Sequence, residues 1–162
     1  MWSRLLLTSY SKPGDILKFQ KTKHILVPAA LFAVATLGAT ASPAEVVVVV
    51  SANSTISSLT ATQTAKIFLG KTSIFPGGGN ALPLDQAEGT GIRNEFYTKV
   101  TGKDSAQLNA YWSKIIFAGD GQPPKVVPGN TDVRKAVAND PNAIGYIDKS
   151  AVDGSVRVVL TP

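Results

Sequence analysis

A glycine-flanked turn between Asp85 and Arg93 carries the residues whose types and spacing are best suited to chemistry. The sequence there reads Asp-Gln-Ala-Glu-Gly-Thr-Gly-Ile-Arg, which predicts a strand end, a turn and the start of a helix. The first N–H groups of a helix have no acceptor within it, and the helix dipole favours negative charge there. We therefore predict an anion site at this helix start. Its donors would be the backbone, a hydroxyl and a guanidinium, supplied by Gly89, Thr90, Gly91 and Arg93.

The same segment supports two other interpretations. A threonine before a helix is an ordinary N-cap, which would give Thr90 a purely structural role. The second interpretation is a paired-acid or cation site. Asp85 and Glu88 would repel an anion unless they were neutralised. Two carboxyls about 5–9 Å apart are the arrangement that glycosidases use for catalysis. No second acidic cluster in the sequence supports catalysis or a cation site. We therefore predict a binding protein with no catalytic residues, no metal site and no cofactor.

The residue types that are missing exclude much of enzyme chemistry. The chain contains no cysteine, and its one histidine, His24, lies in an N-terminal leader. Without these residues the remainder of the chain cannot form Cys/His zinc sites, Cys–His nucleophilic pairs or Ser-His-Asp triads. The fold must also be stable without disulfides.

The formal net charge of +5 is concentrated in the leader. Residues 1–44 contain five of the 16 basic and one of the 11 acidic side chains, so a net charge of +4 lies there. Residues 45–162 carry only the remaining +1. A nearly neutral body has no basic stripe for the phosphates of DNA or RNA, so no nucleic-acid partner is expected.

The leader has the three parts of a secretory signal peptide. Lys21, Lys23 and His24 form a positive region, residues 25–37 are an apolar run interrupted only by Thr36, and small residues follow. The apolar run is shorter than the roughly 20 residues that span a bilayer, which favours a cleaved signal over an uncleaved anchor. We therefore predict a periplasmic protein with no stable membrane span after cleavage.

Two details of the leader stay open. Cleavage after Ala41 and cleavage after Ala44 both place small residues where signal peptidase requires them. Residues 1–20 are either an extended positive region or a misassigned start. With the leader taken as residues 1–44, the mature chain of residues 45–162 has the size of one domain.

A run of five valines, Val46–Val50, opens the mature chain. β-Branched residues favour extended backbone, and a continuous apolar run is typical of a strand in the middle of a parallel sheet. Ser51, Asn53 and Ser54 follow this strand. Because ligands collect beyond the carboxyl ends of strands, we predict that these residues face the same edge as Thr90 and contribute to the anion site.

The remaining segments alternate between strand and helix patterns. Thr60 and Gln63 have the spacing of a capping box, and a helix with a dense apolar face is expected after Asp104 or Ser105. This alternation predicts an α/β sandwich with a mixed sheet. The expected helices are residues 60–68, 92–100, about 105–116 and 133–138. The apolar face of the third helix consists of Leu108, Tyr111, Trp112, Ile115 and Ile116. The expected strands are residues 81–84, 125–127, 143–147 and 155–160.

Three segments in this order resemble the phosphate-type periplasmic substrate-binding proteins of ABC transporters. Residues 59–71 end in Ile-Phe-Leu-Gly-Lys and are similar to that family's IF-x-GK stretch. Residues 85–96 lie where the family carries an arginine, a Ser-Gly-Thr turn at a helix start and a phenylalanine. Residues 143–147, Ala-Ile-Gly-Tyr-Ile, are similar to its AIGY strand. Together the three segments cover nearly the whole mature chain.

The resemblance implies a fold, a function and partners. The fold would be a three-layer α/β/α sandwich, a single lobe of the type 2 periplasmic-binding-protein fold. The function would be to bind phosphate or another oxyanion for an ABC transporter. Since the chain is much shorter than two-lobed members of the family, a transporter permease, a second lobe or a dimer partner would complete the site.

The turn departs from the family pattern in its charge. Asp85 stands near the family's arginine, and Glu88-Gly89-Thr90 stands near Ser-Gly-Thr, so the turn is acidic. The alternative function is therefore a degenerate lobe that serves as a protein–protein interaction module of the cell envelope, without a small ligand.

Overall fold

The structure, a computed structural model, describes residues 45–162. The predicted signal peptide and both candidate cleavage points lie outside these residues. No helix in the described part of the chain is long and apolar enough to cross a membrane. In chain order the elements are β1 Val46–Ser51, α1 Ala61–Phe68, β2 Leu82–Gln86, α2 Gly91–Thr101, α3 Ser105–Ala118, β3 Lys125–Val127, α4 Gly129–Asn139, β4 Ala143–Asp148, a 3-10 turn Lys149–Ala151 and β5 Val156–Leu160.

The five strands form a mixed sheet in the order β3-β2-β4-β1-β5. β2 is parallel to both β3 and β4, whereas β1 is antiparallel to both β4 and β5. The prediction that Val46–Val50 is a buried strand is confirmed, but its expected setting among parallel strands is wrong. A continuous apolar run indicates that both faces are covered; it carries no information about strand direction.

Alternate valines of β1 face two separate cores. Val46, Val48 and Val50 pack with residues of α1, α2 and α3, and Val47 and Val49 pack with residues of α4. All five are fully buried, because successive side chains of a strand point to opposite faces. The sheet is therefore covered by three helices on one face and one on the other, which confirms the α/β class and the three-layer arrangement.

The helix starts follow local sequence signals in most cases. The Thr60 hydroxyl accepts from Gln63 N at 3.2 Å, and the Gln63 side chain accepts from Thr60 N at 2.8 Å, so the predicted capping box is present. Asp104 forms a second box with Gln107. α4 begins at Gly129, four residues before the predicted start at Val133. Gly-Asn-Thr is typical of a loop, but here it forms the first turn of the helix.

α3 buries less of its apolar face than its sequence predicts. Leu108 and Trp112 are buried, whereas Ile115 is only half-buried. Ile116 is 47% exposed, and Phe117 is 95% exposed. The helix rests on the core along one narrow stripe, and its carboxyl-terminal turn presents apolar side chains to the outside.

Candidate functional site

Asp85 is the centre of a buried hydrogen-bond network at the carboxyl end of β2. The strand continues through Gln86, two residues beyond the predicted end, so Asp85 lies inside the sheet and is 2% exposed. Its Oδ1 accepts hydrogen bonds from Gln86 N at 2.8 Å and from the Tyr146 hydroxyl. Its Oδ2 accepts from Arg93 Nε at 3.0 Å and from the Tyr97 hydroxyl at 3.1 Å. Four donors therefore surround this carboxylate.

Arg93, in the first turn of α2, is buried although it was expected at an open site. The residue is 7% exposed, and its guanidinium carbon lies 5.2 Å from the centre of the Tyr97 ring. Its Nη1 is buried and has no acceptor among the described residues. Burial opposes the charged form, but the Asp85 carboxylate outweighs it and the pKa of Arg93 is raised. The guanidinium therefore stays charged and retains an unused donor.

The start of α2 also has unused donors. Thr90 occupies the N-cap position, but its side chain makes no capping hydrogen bond; its hydroxyl donates to Ala87 O at 2.9 Å. The first backbone bond of the helix runs from Asn94 N to Thr90 O. The N–H groups of Gly91, Ile92 and Arg93 have no acceptor among the described residues. The first turn contains no acidic residue, so its positive potential is not offset from within the helix.

Asp85 and Glu88, the two carboxylates that would repel an anion, both accept hydrogen bonds from other side chains. Asp85 is paired with Arg93, so the two charges cancel. Glu88 is exposed and accepts a hydrogen bond from Asn109 Nδ2 of α3 at 2.6 Å. Asp85 therefore positions the guanidinium, whereas Glu88 lies at the surface of the turn.

The start of α4 lies at the same edge of the sheet, which the sequence pattern did not indicate. Gln86 Nε2 donates to Asn130 Oδ1 at 3.0 Å and to Tyr146 O at 2.9 Å. Asn130 Oδ1 also accepts from Asp148 N at 3.2 Å. Because β2 and β3 are parallel and adjacent, the helices that follow them begin side by side. The first turn of α4 does contain an acidic residue, Asp132, which makes it less suited to an anion than α2.

Ser51, Asn53 and Ser54 lie at the opposite edge, so the expectation that they face the same edge as Thr90 is wrong. β1 runs antiparallel to β4, which places its carboxyl end beside the amino end of β4. The side chains also serve local bonds. Ser51 Oγ donates to Ala138 O and accepts from Asn53 N, both at 3.3 Å. Ser54 Oγ accepts from Ile56 N at 3.3 Å.

Two clefts among the described residues lie away from the candidate site. One cleft is lined by residues such as Leu82 and Trp112 and another by Gln63 and Phe75, and neither includes any residue of 85–93. No group of three or more His, Asp or Glu residues that could hold a metal ion occurs among residues 45–162. Of the predicted site residues, Gly91 and Arg93 contribute free backbone N–H groups at the start of α2, whereas the Thr90 hydroxyl bonds Ala87 O and the Arg93 side chain is buried.

The rings of Phe96, Tyr97 and Tyr146 pack together beside the hydrogen-bond network of Asp85. The Phe96 ring stacks on that of Tyr146, with centroids 4.0 Å apart and planes 8° apart, and meets Tyr97 edge-on at 5.1 Å. Tyr97 and Tyr146 are 2% and 0% exposed. Burial, together with the charge of Asp85, raises the pKa of both hydroxyls far above the ordinary value. Both tyrosines therefore remain protonated donors to Asp85.

We expect stability to decrease above about pH 10, the ordinary tyrosine pKa. An unfolded chain loses the tyrosine protons there while the folded protein keeps them. The contribution of the two protonated tyrosines to the free energy of unfolding is thus complete below about pH 10 and is lost progressively above it. Urea denaturation at about pH 8, 9, 10 and 11 measures this. Tyr97→Phe should make the decline shallower, and an unchanged slope would contradict the assignment.

Comparison with known proteins identifies the fold. No family model matches the chain, and no curated protein does. A solved structure from Clostridium perfringens, described as a phosphate ABC transporter substrate-binding protein with bound phosphate, has 25% sequence identity and a TM-score of 0.57, covering 71% of this chain and 44% of that chain. An ABC-type phosphate transport receptor from Vibrio cholerae has 19% identity and a TM-score of 0.56, covering 71% and 45%.

PstS from Borrelia burgdorferi is also similar, with 17% identity, a TM-score of 0.51 and coverage of 71% of this chain and 46% of that chain. These matches confirm the predicted resemblance at the level of the fold. The chain spans less than half the length of the solved structures that it matches, as a single lobe would.

Proposed function

We propose that this chain is an exported solute-binding protein of the phosphate or oxyanion type that works with an ABC transporter and catalyses no reaction. In this proposal residues 1–44 are a signal peptide and the remainder acts in the periplasm. The observation that carries the proposal is the start of α2. Three N–H groups without acceptors lie there beside Arg93, a charged guanidinium with an unpartnered Nη1. Free N–H groups at a helix start, where the helix dipole favours negative charge, are what an oxyanion requires.

The balance of charge supports the same site. Asp85 is already neutralised by Arg93, and no acidic residue lies in the first turn of α2. A bound anion would therefore meet the helix dipole and the remaining donors of Arg93 without a facing unpaired buried carboxylate. Of the residues proposed from sequence, Gly89, Thr90, Gly91 and Arg93 remain the proposed ligand-binding set.

The solved structures support the ligand class and suggest how the site is completed. The Clostridium perfringens protein is described with bound phosphate, and the described residues share its fold. Since this chain spans less than half of that protein, one lobe would cover only one side of the anion. A second lobe, a second copy of this chain or a transporter permease would cover the other side.

Calorimetric titration of phosphate, sulfate and molybdate, with chloride as the control, tests the proposal. Saturable binding of an oxyanion, with one site per chain or per dimer, is the expected result. No heat and no thermal shift from any of the three oxyanions at about millimolar concentration, where even the weakest useful affinities register, would remove the solute-binding proposal.

Gly91→Asp is expected to weaken oxyanion binding by at least about tenfold, because a carboxylate at the helix start repels the anion and occupies the same N–H groups. The fold should tolerate the change. Gly91 is exposed, a Cβ there would meet nothing within 4 Å, and an acidic residue in the first turn stabilises a helix. Calorimetry and thermal denaturation measure the two effects separately.

Gly91→Asn is the matched control for this variant. It adds nearly the same volume without charge, so its oxyanion affinity should stay within about threefold of the original, a difference below 1 kcal/mol. Equal binding by the Asp and Asn variants would place the anion elsewhere on the protein.

A second candidate function is the envelope interaction module without a small ligand. The observation in its favour is Phe117, which is 95% exposed beside Ile116 at the end of α3. Exposed apolar side chains that cluster mark protein contacts more often than isolated ones do. The oxyanion titration separates the two functions, since the module requires no oxyanion.

A further inference from the structure

The helix α3 carries few charges for a helix at the protein surface. Its 14 residues include one charged side chain, Lys114, whereas α2 and α4 each carry three in 11 residues. Phe117 is 95% exposed, more than any other large hydrophobic side chain among residues 45–162. Depletion of charge together with an exposed aromatic ring is the composition found at the core of protein interfaces. The outward face of α3 is therefore suited to contact with another protein chain.

Four exposed residues form the centre of this face, on the side of α3 away from its buried residues: Ala106, Ala110, Ser113 and Phe117. They follow one another after four, three and four residues, the spacing with which one side of a helix meets a second helix. Three of the side chains are small, and the large one lies at the carboxyl-terminal end. A second α3 running in the opposite direction complements this face, because its large end meets the small end of the first.

We propose that two copies of this chain associate through α3, with the two helices antiparallel across a two-fold axis. In such a pair, residues equally far from the centre on opposite sides of it face each other. With the centre between Tyr111 and Trp112, Phe117 of each copy packs against Ala106 of the other. The same register sets Ser113 against Ala110, so both contacts form together.

The charges that flank α3 favour a second copy as the partner. Lys103 lies two residues before the helix and Asp120 two residues after it, so the same register brings Lys103 of each copy to Asp120 of the other. Neither residue forms a salt bridge within the described part of the chain. Lys114 lies at the margin of the face, where its long side chain can extend into solvent. A parallel pair would instead set like charges against each other, which supports the antiparallel arrangement.

Analytical ultracentrifugation tests the proposal on the protein produced from its full sequence and purified as the cell delivers it. One pair of 14-residue helices is a small interface, so we expect a monomer–dimer equilibrium with a micromolar dissociation constant. Phe117→Asp should weaken the dimer by at least about tenfold, because a carboxylate replaces the aromatic ring at the contact. Val126→Asp is the matched control. Val126 is an apolar side chain of β3, 58% exposed, and its replacement should leave the equilibrium unchanged.

Exchange of the flanking charges tests the antiparallel register. Lys103→Asp and Asp120→Lys each place like charges at both ends of the pair, and each should weaken the homodimer by at least about fivefold. The variant that combines both changes restores opposite charges and should dimerise like the original protein. An equimolar mixture of the two single variants should form the mixed dimer in preference to either homodimer, because both ends then carry opposite charges.

Three results would overturn the proposal: a monomer at about 100 µM protein, equal effects of Phe117→Asp and Val126→Asp, or a combined charge variant that dimerises no better than the single ones. Circular dichroism confirms that each variant is folded before association is interpreted. The measurements use a buffer without oxyanions and so are independent of the solute-binding proposal. A monomer that binds an oxyanion would refute only the dimer, and a dimer that binds none would refute only the solute-binding function.

Discussion

Arg93→Ala is expected to lower the free energy of unfolding by about 3–5 kcal/mol, the usual effect of removing one partner from a buried ion pair. The variant would leave the Asp85 carboxylate, 2% exposed, without the guanidinium that bonds its Oδ2 at 3.0 Å. Two tyrosine hydroxyls and one backbone N–H would remain, but none carries a positive charge. Urea denaturation at about pH 7 measures the difference.

Lys99→Ala is the control for Arg93→Ala, because both residues are cations of α2. Lys99 pairs with Glu95 at 2.9 Å, but its side chain is 41% exposed, and such helical surface pairs contribute about 0.3–0.5 kcal/mol. Asp85→Asn combined with Arg93→Ala should recover part of the lost stability, since no buried charge then remains unpaired. If Arg93→Ala costs no more than Lys99→Ala, the ion pair is not buried in solution.

This expected instability changes how the anion site must be tested. A loss of oxyanion binding in Arg93→Ala could follow from partial unfolding as easily as from a lost contact. Gly91→Asp avoids the ambiguity, because it alters the charge at the same helix start without removing a partner of Asp85.

Gly145→Ala is the second change with a large expected effect, a loss of about 1–3 kcal/mol of stability through overpacking. Gly145 lies on β4 beneath α4. A Cβ there would be 2.4 Å from Val133 Cγ1 and 3.2 Å from Val137 Cγ2, so the helix would have to move outward from the sheet. Thermal or urea denaturation measures the loss.

Gly154→Ala is the matched control for Gly145→Ala, because a Cβ at Gly154 would meet nothing within 4 Å. It should leave stability within about 0.5 kcal/mol, as most surface substitutions do. Adding Val133→Ala to Gly145→Ala removes the clashing methyl and should cost less than the two single changes together. Strict additivity of the two would show that α4 is not in contact with Gly145.

The clash also gives a physical reason for one segment of the family resemblance. In Ala143 to Ile147, the glycine permits the close approach of α4, and the following Tyr146 reaches Asp85 on the other face. Successive residues of a strand face opposite sides of the sheet, so Gly145 serves the packing of α4 and Tyr146 serves the polar network around Asp85.

The sequence by itself determined the features that depend on residues close together in the chain. The predicted capping box at Thr60 joins residues three apart, and Asp104 is one of the two cap candidates expected for α3. The start of α2 at Gly91 follows from the turn before it. The burial of Val46–Val50 was also evident, because burial depends on the composition of the strand alone. Most element types and the α/β class followed from these local patterns, and the fold of the phosphate-transport binding proteins was indicated by the resemblance of three segments.

Only the tertiary structure decided which ends of the strands meet. The antiparallel direction of β1 moved Ser51 to the far edge, and the parallel pairing of β2 and β3 brought Asn130 beside Gln86. The tertiary structure also pairs Asp85, a carboxylate that argued against an anion site in the sequence, with Arg93. It joins Asp85 to Tyr146, 61 residues away in the chain. Strand direction and charge pairing arise from contacts between distant segments, to which local propensity and periodicity contribute no information.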